Sequence, residues 1–340
     1  MEQVRIGIIG AGRISHVMSA AHAQVPESKL AGVFDVVPEA SERLARKFDI
    51  PHIFSSYQDM LASDEIDAVL VCTPTFLHEQ IVIDAANAGK HVFCQKPMAL
   101  TVEQCERMNE AALRNGVKLQ VGFMIRFTPP FVEVKERIDS GEIGDIIAIR
   151  SAVFGWEPTA EWFYDPNQGG GLLIDTIIHT FDLYRWYAGE VASVFADGGA
   201  YVFDGARKHG TPDNIMCQMK FENGAVGSIY GSWSSGYGDK TMEIYGTKGS
   251  FFIDLMEAQG GRAFIKKNQA APSPAEGWNN LGVLWKFGYQ QEARHFTHSI
   301  LGRVAPSATG TDAVEAQKLA MLADRSIRTA EVLRVQGAGR

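Results

Sequence analysis

An apolar strand, Val4-Arg5-Ile6-Gly7-Ile8-Ile9, runs straight into Gly10-Ala11-Gly12-Arg13-Ile14-Ser15, and this junction narrows the possible folds more than any other feature. Glycine at 10 permits a tight turn after a strand, and glycine at 12 lets the backbone approach a pyrophosphate. A helix opening at Arg13 and Ile14 would aim its free N–H groups and positive dipole end at that anion. A lone Gly-x-Gly says little. Here a strand precedes it, an amphipathic helix follows, and Lys29-Leu30-Ala31-Gly32-Val33-Phe34 reads as a second strand ending on Asp35.

A carboxylate at Asp35 can accept hydrogen bonds from both ribose hydroxyls of an adenosine and repels a 2′-phosphate, which favours NAD over NADP. The competing reading makes Asp35 an N-cap for the segment after Pro38. Ser15 stands at the third glycine position of the fingerprint, where helix and strand pack closely. A slight shift with binding retained is the expectation.

At 340 residues the chain exceeds one ordinary domain and suggests two. A net charge of −8 argues against nucleic acid or anionic membrane as partner. No apolar stretch approaches the ~18 residues of a membrane span. The first residues enter a strand directly and leave no room for a signal peptide, so a cytoplasmic protein is expected. Cys72, Cys94, Cys105 and Cys217 are scattered without Cys-x-x-Cys spacing and read as reduced thiols, the first two on core strands.

Strand and helix patterns alternate through the first 120 or so residues. Strands are predicted at Val4–Ile9, Lys29–Phe34, Ala68–Cys72, His91–Cys94 and Lys118–Gly122. Helices are predicted at Pro38–Phe48, Leu77–Ala88 and Val102–Asn115, the last capped by Thr101. Such alternation implies a doubly wound parallel sheet, an α/β domain over 1–122. The remainder, 123–340, opens with a helix around Pro130–Ser140. Strand patterns then dominate at Ile146–Phe154, Val191–Val202, Asn214–Phe221, Ala225–Ser232, Thr241–Tyr245 and Ser250–Ile253. That is an α+β domain with a large, mostly antiparallel open sheet. One helix interrupts it at Gly171–Tyr187, and Lys266–Gly277 reads as a surface loop. Helices at Tyr289–Leu301 and Thr311–Leu333 close the chain, with the C-terminal helix in a position to pack back on the first domain.

Two groupings carry chemistry. In Gly89-Lys90-His91-Val92-Phe93-Cys94-Gln95-Lys96-Pro97, Lys96 falls just past a strand's carboxyl end, the edge where open α/β sheets bind ligands. Its ammonium group can stabilise charge developing on a substrate oxygen. The alternative is a solvated loop lysine. In Gly169-Gly170-Gly171-Leu172-Leu173-Ile174-Asp175-Thr176-Ile177-Ile178-His179, Asp175 and His179 are four apart on a predicted helix and share a face. Imidazole titrates near neutrality and can take the proton of an alcohol, and a carboxylate beside it can orient the ring. The alternative is a core histidine paired with Asp175 or Asp182. Two ligands do not make a metal site, so no metal is expected. Trp156, Trp162, Tyr164 and Asn167 precede this helix and offer ring-stacking and hydroxyl contacts, or simply aromatic packing.

The ordered set of motifs resembles the glucose–fructose oxidoreductase, inositol dehydrogenase and MocA family. It comprises Gly-x-Gly, Cys72-Thr73-Pro74-Thr75-Phe76-Leu77-His78, Gly89-Lys90-His91-Val92 with Lys96-Pro97, Gly122-Phe123-Met124-Ile125-Arg126-Phe127, and Gly-Gly-Gly-x-Leu-x-Asp-x-x-x-His. The resemblance implies a Rossmann domain followed by an α+β domain whose open sheet forms a dimer or tetramer interface. It also implies that Lys96 and His179 are catalytic with Asp175 supporting. Thr73, Pro74, His78 and Gln95 would then join Gly10, Gly12, Arg13, Ile14 and Asp35 at the cofactor. Arg126 would lie near substrate or nicotinamide. Two departures stand out: Gln95 replaces the usual glutamate before Lys-Pro, and Phe163 stands where relatives often carry arginine.

The expected activity is NAD-dependent oxidation of a secondary hydroxyl on a cyclic polyol or sugar, inositol-like or pyranose, by a homo-oligomer. Alternatives are a keto-sugar or anhydro-sugar reductase, an NAD-using glycosidase that oxidises, eliminates and re-reduces, and a non-catalytic NAD sensor.

Overall fold

The computed structural model describes residues 2–155, 157–235, 240–254, 262–267, 278–280 and 286–335. The chain divides into two compact units, Met1–Phe127 with Lys286–Val314, and Thr128–Trp285 with Glu315–Arg340.

In the first unit the alternation read from the sequence becomes β1 (Val4–Ile9), α1 (Arg13–His22), β2 (Ser28–Phe34), α2 (Pro38–Phe48), β3 (His52–Ile53), α3 (Tyr57–Ala62), β4 (Ala68–Val71), α4 (His78–Asn87), β5 (His91–Cys94), α5 (Val102–Arg114) and β6 (Leu119–Val121). β3 and α3 are too short for a periodic signal and escaped the sequence reading. Six strands pair in the order β3-β2-β1-β4-β5-β6, all parallel. β1 and β4 are buried almost throughout because helices cover both faces, which is why they read as unbroken apolar runs. Thr101 caps α5 in a full capping box with Gln104.

A parallel sheet brings all its carboxyl ends to one edge. The segments Gly10–Ser15, Asp35–Val37, Cys72–Pro74 and Gln95–Pro97 therefore collect along a single rim, at the point where strand order reverses between β1 and β4. Backbone bonds extend the ladder into that rim: Gly10 N–H to Phe34 O at 2.8 Å, Cys72 N–H to Ile9 O at 2.8 Å, and Gln95 N–H to Val71 O at 3.0 Å.

The second unit opens with α6 (Pro129–Asp139) and β7 (Ile146–Phe154). After a broken helix it continues with α7 (Ile178–Ala188), β8 (Val191–Gly199), α8 (Asp204–His209), β9 (Asn214–Phe221), β10 (Val226–Ser232), β11 (Lys240–Gly246), β12 (Gly249–Asp254), β13 (Arg262–Lys267) and β14 (Trp278–Asn280). The chain then forms α9 (Lys286–Ile300), which belongs to the first unit, α10 (Gly310–Thr329), which spans the division, and β15 (Leu333–Arg334).

Nine strands run in the order β14-β13-β12-β11-β7-β10-β9-β8-β15, antiparallel except for the β7–β10 pair. β9 shows the period-two pattern of a one-sided sheet: Ile215, Cys217, Met219 and Phe221 are buried, while Met216, Gln218 and Lys220 are exposed. On the covered face the Tyr184 hydroxyl donates to Ser228 O at 2.7 Å and joins α7 to β10.

Several boundaries depart from the sequence reading. The strand placed at Val191–Val202 stops at Gly199, because the Asp213 carboxylate draws away the N–H groups of Tyr201, Val202 and Phe203 at 2.8–2.9 Å. Lys266 and Lys267 are not loop but the end of β13, paired with Ser250 and Gly249, and 268–277 lie outside the described residues. The last helix ends at Thr329 rather than Leu333, with Ala330 at φ 56° turning the chain so that Leu333 pairs with Val194.

The domain boundary also differs from the single break at 122/123. Phe123–Phe127 stay with the first unit, and the chain returns to it at α9. There Phe296 enters the core with Phe93 at 5.6 Å between ring centroids, and Ala293 packs with Ala21 and Val25.

Candidate active site

At the β1–α1 turn the two glycines are constrained differently. Gly10 has φ +95°, and a Cβ there would lie 2.8 Å from Cys72 O, so only glycine fits the turn. At Gly12 a Cβ would meet nothing within 4 Å. Gly12 is the N-cap of α1 and supplies no side-chain cap, so the opening of the helix stays accessible to an anion. Gly12 and Arg13 are exposed and Ile14 packs against the core. Ser15 is fully buried and donates its hydroxyl to Gly12 O at 2.5 Å, which satisfies the extra polar group at the third glycine position.

Asp35 reaches across to this turn. Its Oδ2 accepts the Ala11 N–H at 2.6 Å and its Oδ1 the Val37 N–H at 2.8 Å. The N-cap of α2 is Val37, so the capping alternative for Asp35 does not hold. Two backbone donors instead fix the carboxylate at the end of β2, and each carboxylate oxygen has a further lone pair for a ribose hydroxyl.

After β4, Thr73 is half-buried and Pro74 exposed. Thr73 Oγ1 is buried and has no hydrogen-bond partner among the described residues; the same is true of Gln95 Nε2 after β5. Unsatisfied buried donors at the ligand-binding edge of a Rossmann sheet, together with the open cradle at Gly12, fit a bound dinucleotide. A Cβ on Gly122 would come 2.9 Å from Gln95 Oε1, so that glycine gives Gln95 its room.

His78 sits behind the rim. It is 1% exposed, with Nε2 2.8 Å from Thr73 O and Nδ1 3.0 Å from Pro97 O. Burial holds its pKa below the ordinary histidine value against the pull of these carbonyls. It braces the loops after β4 and β5 against each other, where the sequence reading had it lining the cofactor. Lys96, between buried Gln95 and buried Pro97, is half-buried, which does not match a solvated loop lysine.

Arg126 is 6% exposed, and its Nη2 lies 3.2 Å from Asp312 Oδ1. Asp312 Oδ2 accepts both the N–H and the hydroxyl of Thr309 at 2.8 Å. Arg126 thus fastens the turn Met124–Phe127 to the start of α10.

In the second unit the predicted helix over Gly171–Tyr187 is not uniform. Leu173–Ile177 form a wide π-helical turn before α7 begins. Such turns occur mostly as single interruptions at functional positions. Between Gly171 and Tyr184 only Asp175, Thr176 and His179 keep partial exposure, and every neighbour is buried. These three make one accessible polar stripe on an otherwise apolar element. A fully enclosed core histidine does not fit that pattern.

The Thr176 hydroxyl donates to Asp175 Oδ2 at 3.1 Å, and Trp233 Nε1–H donates to Thr176 Oγ1 at 2.8 Å. The sequence reading passed over both Thr176 and Trp233. Nothing local marks Trp233, which reaches Thr176 across 57 residues of chain.

Of the aromatic candidates, Trp162 is half-buried and stacked on Phe163 with centroids 3.8 Å apart. Tyr164 is buried at 5% exposure and packs edge-on to Trp233, so it is core. Asn167 is exposed, its N–H bound to Asp165 Oδ1 at 2.8 Å. Trp156 lies outside the described residues. Among the described residues no helix is long and apolar enough to cross a membrane, and the four cysteines are buried and free.

Two family descriptions match the chain. An oxidoreductase family with an NAD-binding Rossmann fold covers residues 4–123, and the GFO/IDH/MocA C-terminal domain covers residues 131–252. The chain is 32% identical to the uncharacterized oxidoreductase YrbE of Bacillus subtilis, over 96% of this chain and 95% of that protein. It is 31% identical to scyllo-inositol 2-dehydrogenase (NAD(+)) of the same organism, over 96% of this chain and 94% of the relative. Apo scyllo-inositol dehydrogenase from Lactobacillus casei matches in structure with a TM-score of 0.83 at 27% identity, covering 98% of each chain.

Proposed function

This chain belongs to the GFO/IDH/MocA family of oxidoreductases, and on that footing we propose that it oxidises a secondary hydroxyl of a cyclic polyol or sugar to a ketone, using NAD. The observation that carries the reading is the polar stripe of Asp175, Thr176 and His179 on a buried helix, in a family whose compared members include an NAD-dependent inositol dehydrogenase. Asp35, held by two backbone N–H groups, supports NAD over NADP.

Bound NAD supplies the acceptor for the hydrogen that leaves carbon with its electron pair. His179 takes the hydroxyl proton as that oxygen becomes a carbonyl. Lys96 donates a hydrogen bond to the oxygen while negative charge develops on it. Asp175 orients His179 or a neighbouring hydroxyl. Gly10, Gly12, Arg13, Ile14, Asp35, Thr73, Pro74 and Gln95 hold the cofactor, and His78 braces two of their loops. Trp162, backed by Phe163, offers an apolar face to a ring, and Asn167 a polar contact. Arg126 holds its turn through Asp312 and lies near substrate or nicotinamide. Exposed Met216 and Tyr230, cross-strand partners on the outer sheet face, together with exposed Val226, support a homodimer or homotetramer through that sheet.

The test is NAD⁺ reduction across inositols, aldoses and anhydro-sugars, with NADP⁺ and the Lys96→Ala and His179→Ala variants alongside. Turnover on one ring class, preferring NAD⁺ and lowered about 10²–10³-fold in either variant, is the expected outcome. Tight NAD⁺ binding without turnover on any ring would reject the reading and favour the glycosidase or sensor.

A further inference from the structure

The three-residue chain Trp233–Thr176–Asp175 has only one possible direction. An indole N–H can only donate, an ionised carboxylate can only accept, and the hydroxyl between them accepts one bond and donates the other. Trp233 Nε1 lies 2.8 Å from Thr176 Oγ1, which lies 3.1 Å from Asp175 Oδ2. With the indole donating, the single hydroxyl hydrogen of Thr176 is committed to the carboxylate.

The indole at the head of this chain is held on every side. Trp233 is 3% exposed, its backbone N–H donates to Asp213 O at 2.9 Å, and its ring meets Tyr164 edge-on at 88° with centroids 5.4 Å apart. Gly155 lies against the ring: a Cβ there would stand 2.7 Å from Trp233 Cδ1. The indole thus cannot swing away from Thr176. Thr176 sits on the π-helical turn next to Asp175, and both are half-buried beside buried Ile174 and Ile177.

We infer that Trp233 and Thr176 are positioning residues that lock one oxygen of Asp175, and with it the plane of the carboxylate, in the orientation the reaction uses. A rigid core aromatic thereby sets the geometry of a half-exposed reactive group. A carboxylate free to rotate about its terminal torsion samples a broad range, and one charge-assisted bond narrows it. This rests on the reading of Asp175 as a member of the catalytic set, so the experiment has one arm that needs no substrate.

In that arm, protein labelled with ¹⁵N at the indole nitrogens gives resonances for the six tryptophans, and Trp233 is assigned by its loss in Trp233→Phe. The Trp233 N–H resonance is expected to move upfield in Thr176→Val, where its acceptor is gone, and to shift in Asp175→Asn. An unmoved resonance in both variants overturns the inference, whatever the substrate.

In the kinetic arm, Trp233→Phe and Thr176→Val lower kcat about five- to tenfold, the equivalent of one hydrogen bond, with KM nearly constant. Thr176→Ser, which keeps the hydroxyl, recovers most of the loss. Melting temperatures separate this from damage to the fold. Equal losses in Thr176→Ser and Thr176→Val, tracking stability alone, would reduce both residues to packing. A responsive indole in a protein that oxidises no ring would leave the hydrogen-bonded chain standing and remove the substrate reading.

Discussion

Two glycines in one turn should fail in opposite ways when each is replaced by alanine. At position 10 the backbone has φ +95°, where an L side chain costs about 1–2 kcal/mol. The new Cβ would also stand 2.8 Å from Cys72 O, 2.9 Å from Cys72 C and 3.0 Å from Thr73 N. All three are backbone atoms that cannot rotate aside, so overpacking adds about 1–3 kcal/mol. Gly10→Ala should lose about 3 kcal/mol, a drop of about 6–12 °C in melting temperature for a domain of this size.

At position 12 the backbone is extended, φ −76° and ψ −166°, and a Cβ meets nothing within 4 Å. Gly12→Ala should therefore melt within about 3 °C of the parent, small cap and entropy effects nearly cancelling. What it loses is the close approach of phosphate to the opening of the helix. Scanning calorimetry with and without NAD⁺ reads both effects. At a hundredfold excess over Kd the parent gains about 2.7 kcal/mol from binding, and Gly12→Ala should gain almost none. Equal melting of the two variants, or a full NAD⁺ shift in Gly12→Ala, would refute the division of labour.

Asp35→Ser keeps a short acceptor and removes the charge, so the NAD⁺ over NADP⁺ ratio of kcat/KM should fall about thirtyfold or more, read from paired initial rates. His22 is fully buried and burial lowers its pKa from 6.5 to about 3. The unfolded chain binds that proton first, so stability is lost as pH falls from about 6.5 toward 3, by up to about 5 kcal/mol. Urea titrations should show this acid limb flattened in His22→Gln. Glu292 is fully buried, neither oxygen has a partner among the described residues, and burial pushes its pKa well up. The folded chain holds this proton to higher pH than the unfolded chain, which ionises above about 4.5, so stability falls as pH rises. Glu292→Met should be the more stable protein at pH 7.5, with the advantage shrinking toward pH 4; a constant difference would contradict the titration.

The amino-acid order alone determined the first unit's alternation, the glycine turn, Asp35 at the end of β2 and the placing of Lys96 past β5. Each is written within a few consecutive residues, as an apolar run, a turn or a cap. A parallel sheet then has no choice but to bring those ends to one rim. That Asp175 and His179 fall on one helical stretch was legible for the same reason, and both keep partial exposure there.

Tertiary contacts decided the rest. Only packing against α1 and the first unit's core shows that α9 returns there, because the helix itself carries no address. The motif suggests a cofactor contact for His78, yet the ring is buried with its nitrogens against the carbonyls of Thr73 and Pro97. The wide turn at Leu173–Ile177 and the bond from Trp233 to Thr176 were invisible for the same cause. A side chain's partner 57 residues away depends on which atoms the fold places within about 3 Å, and no local pattern encodes that distance.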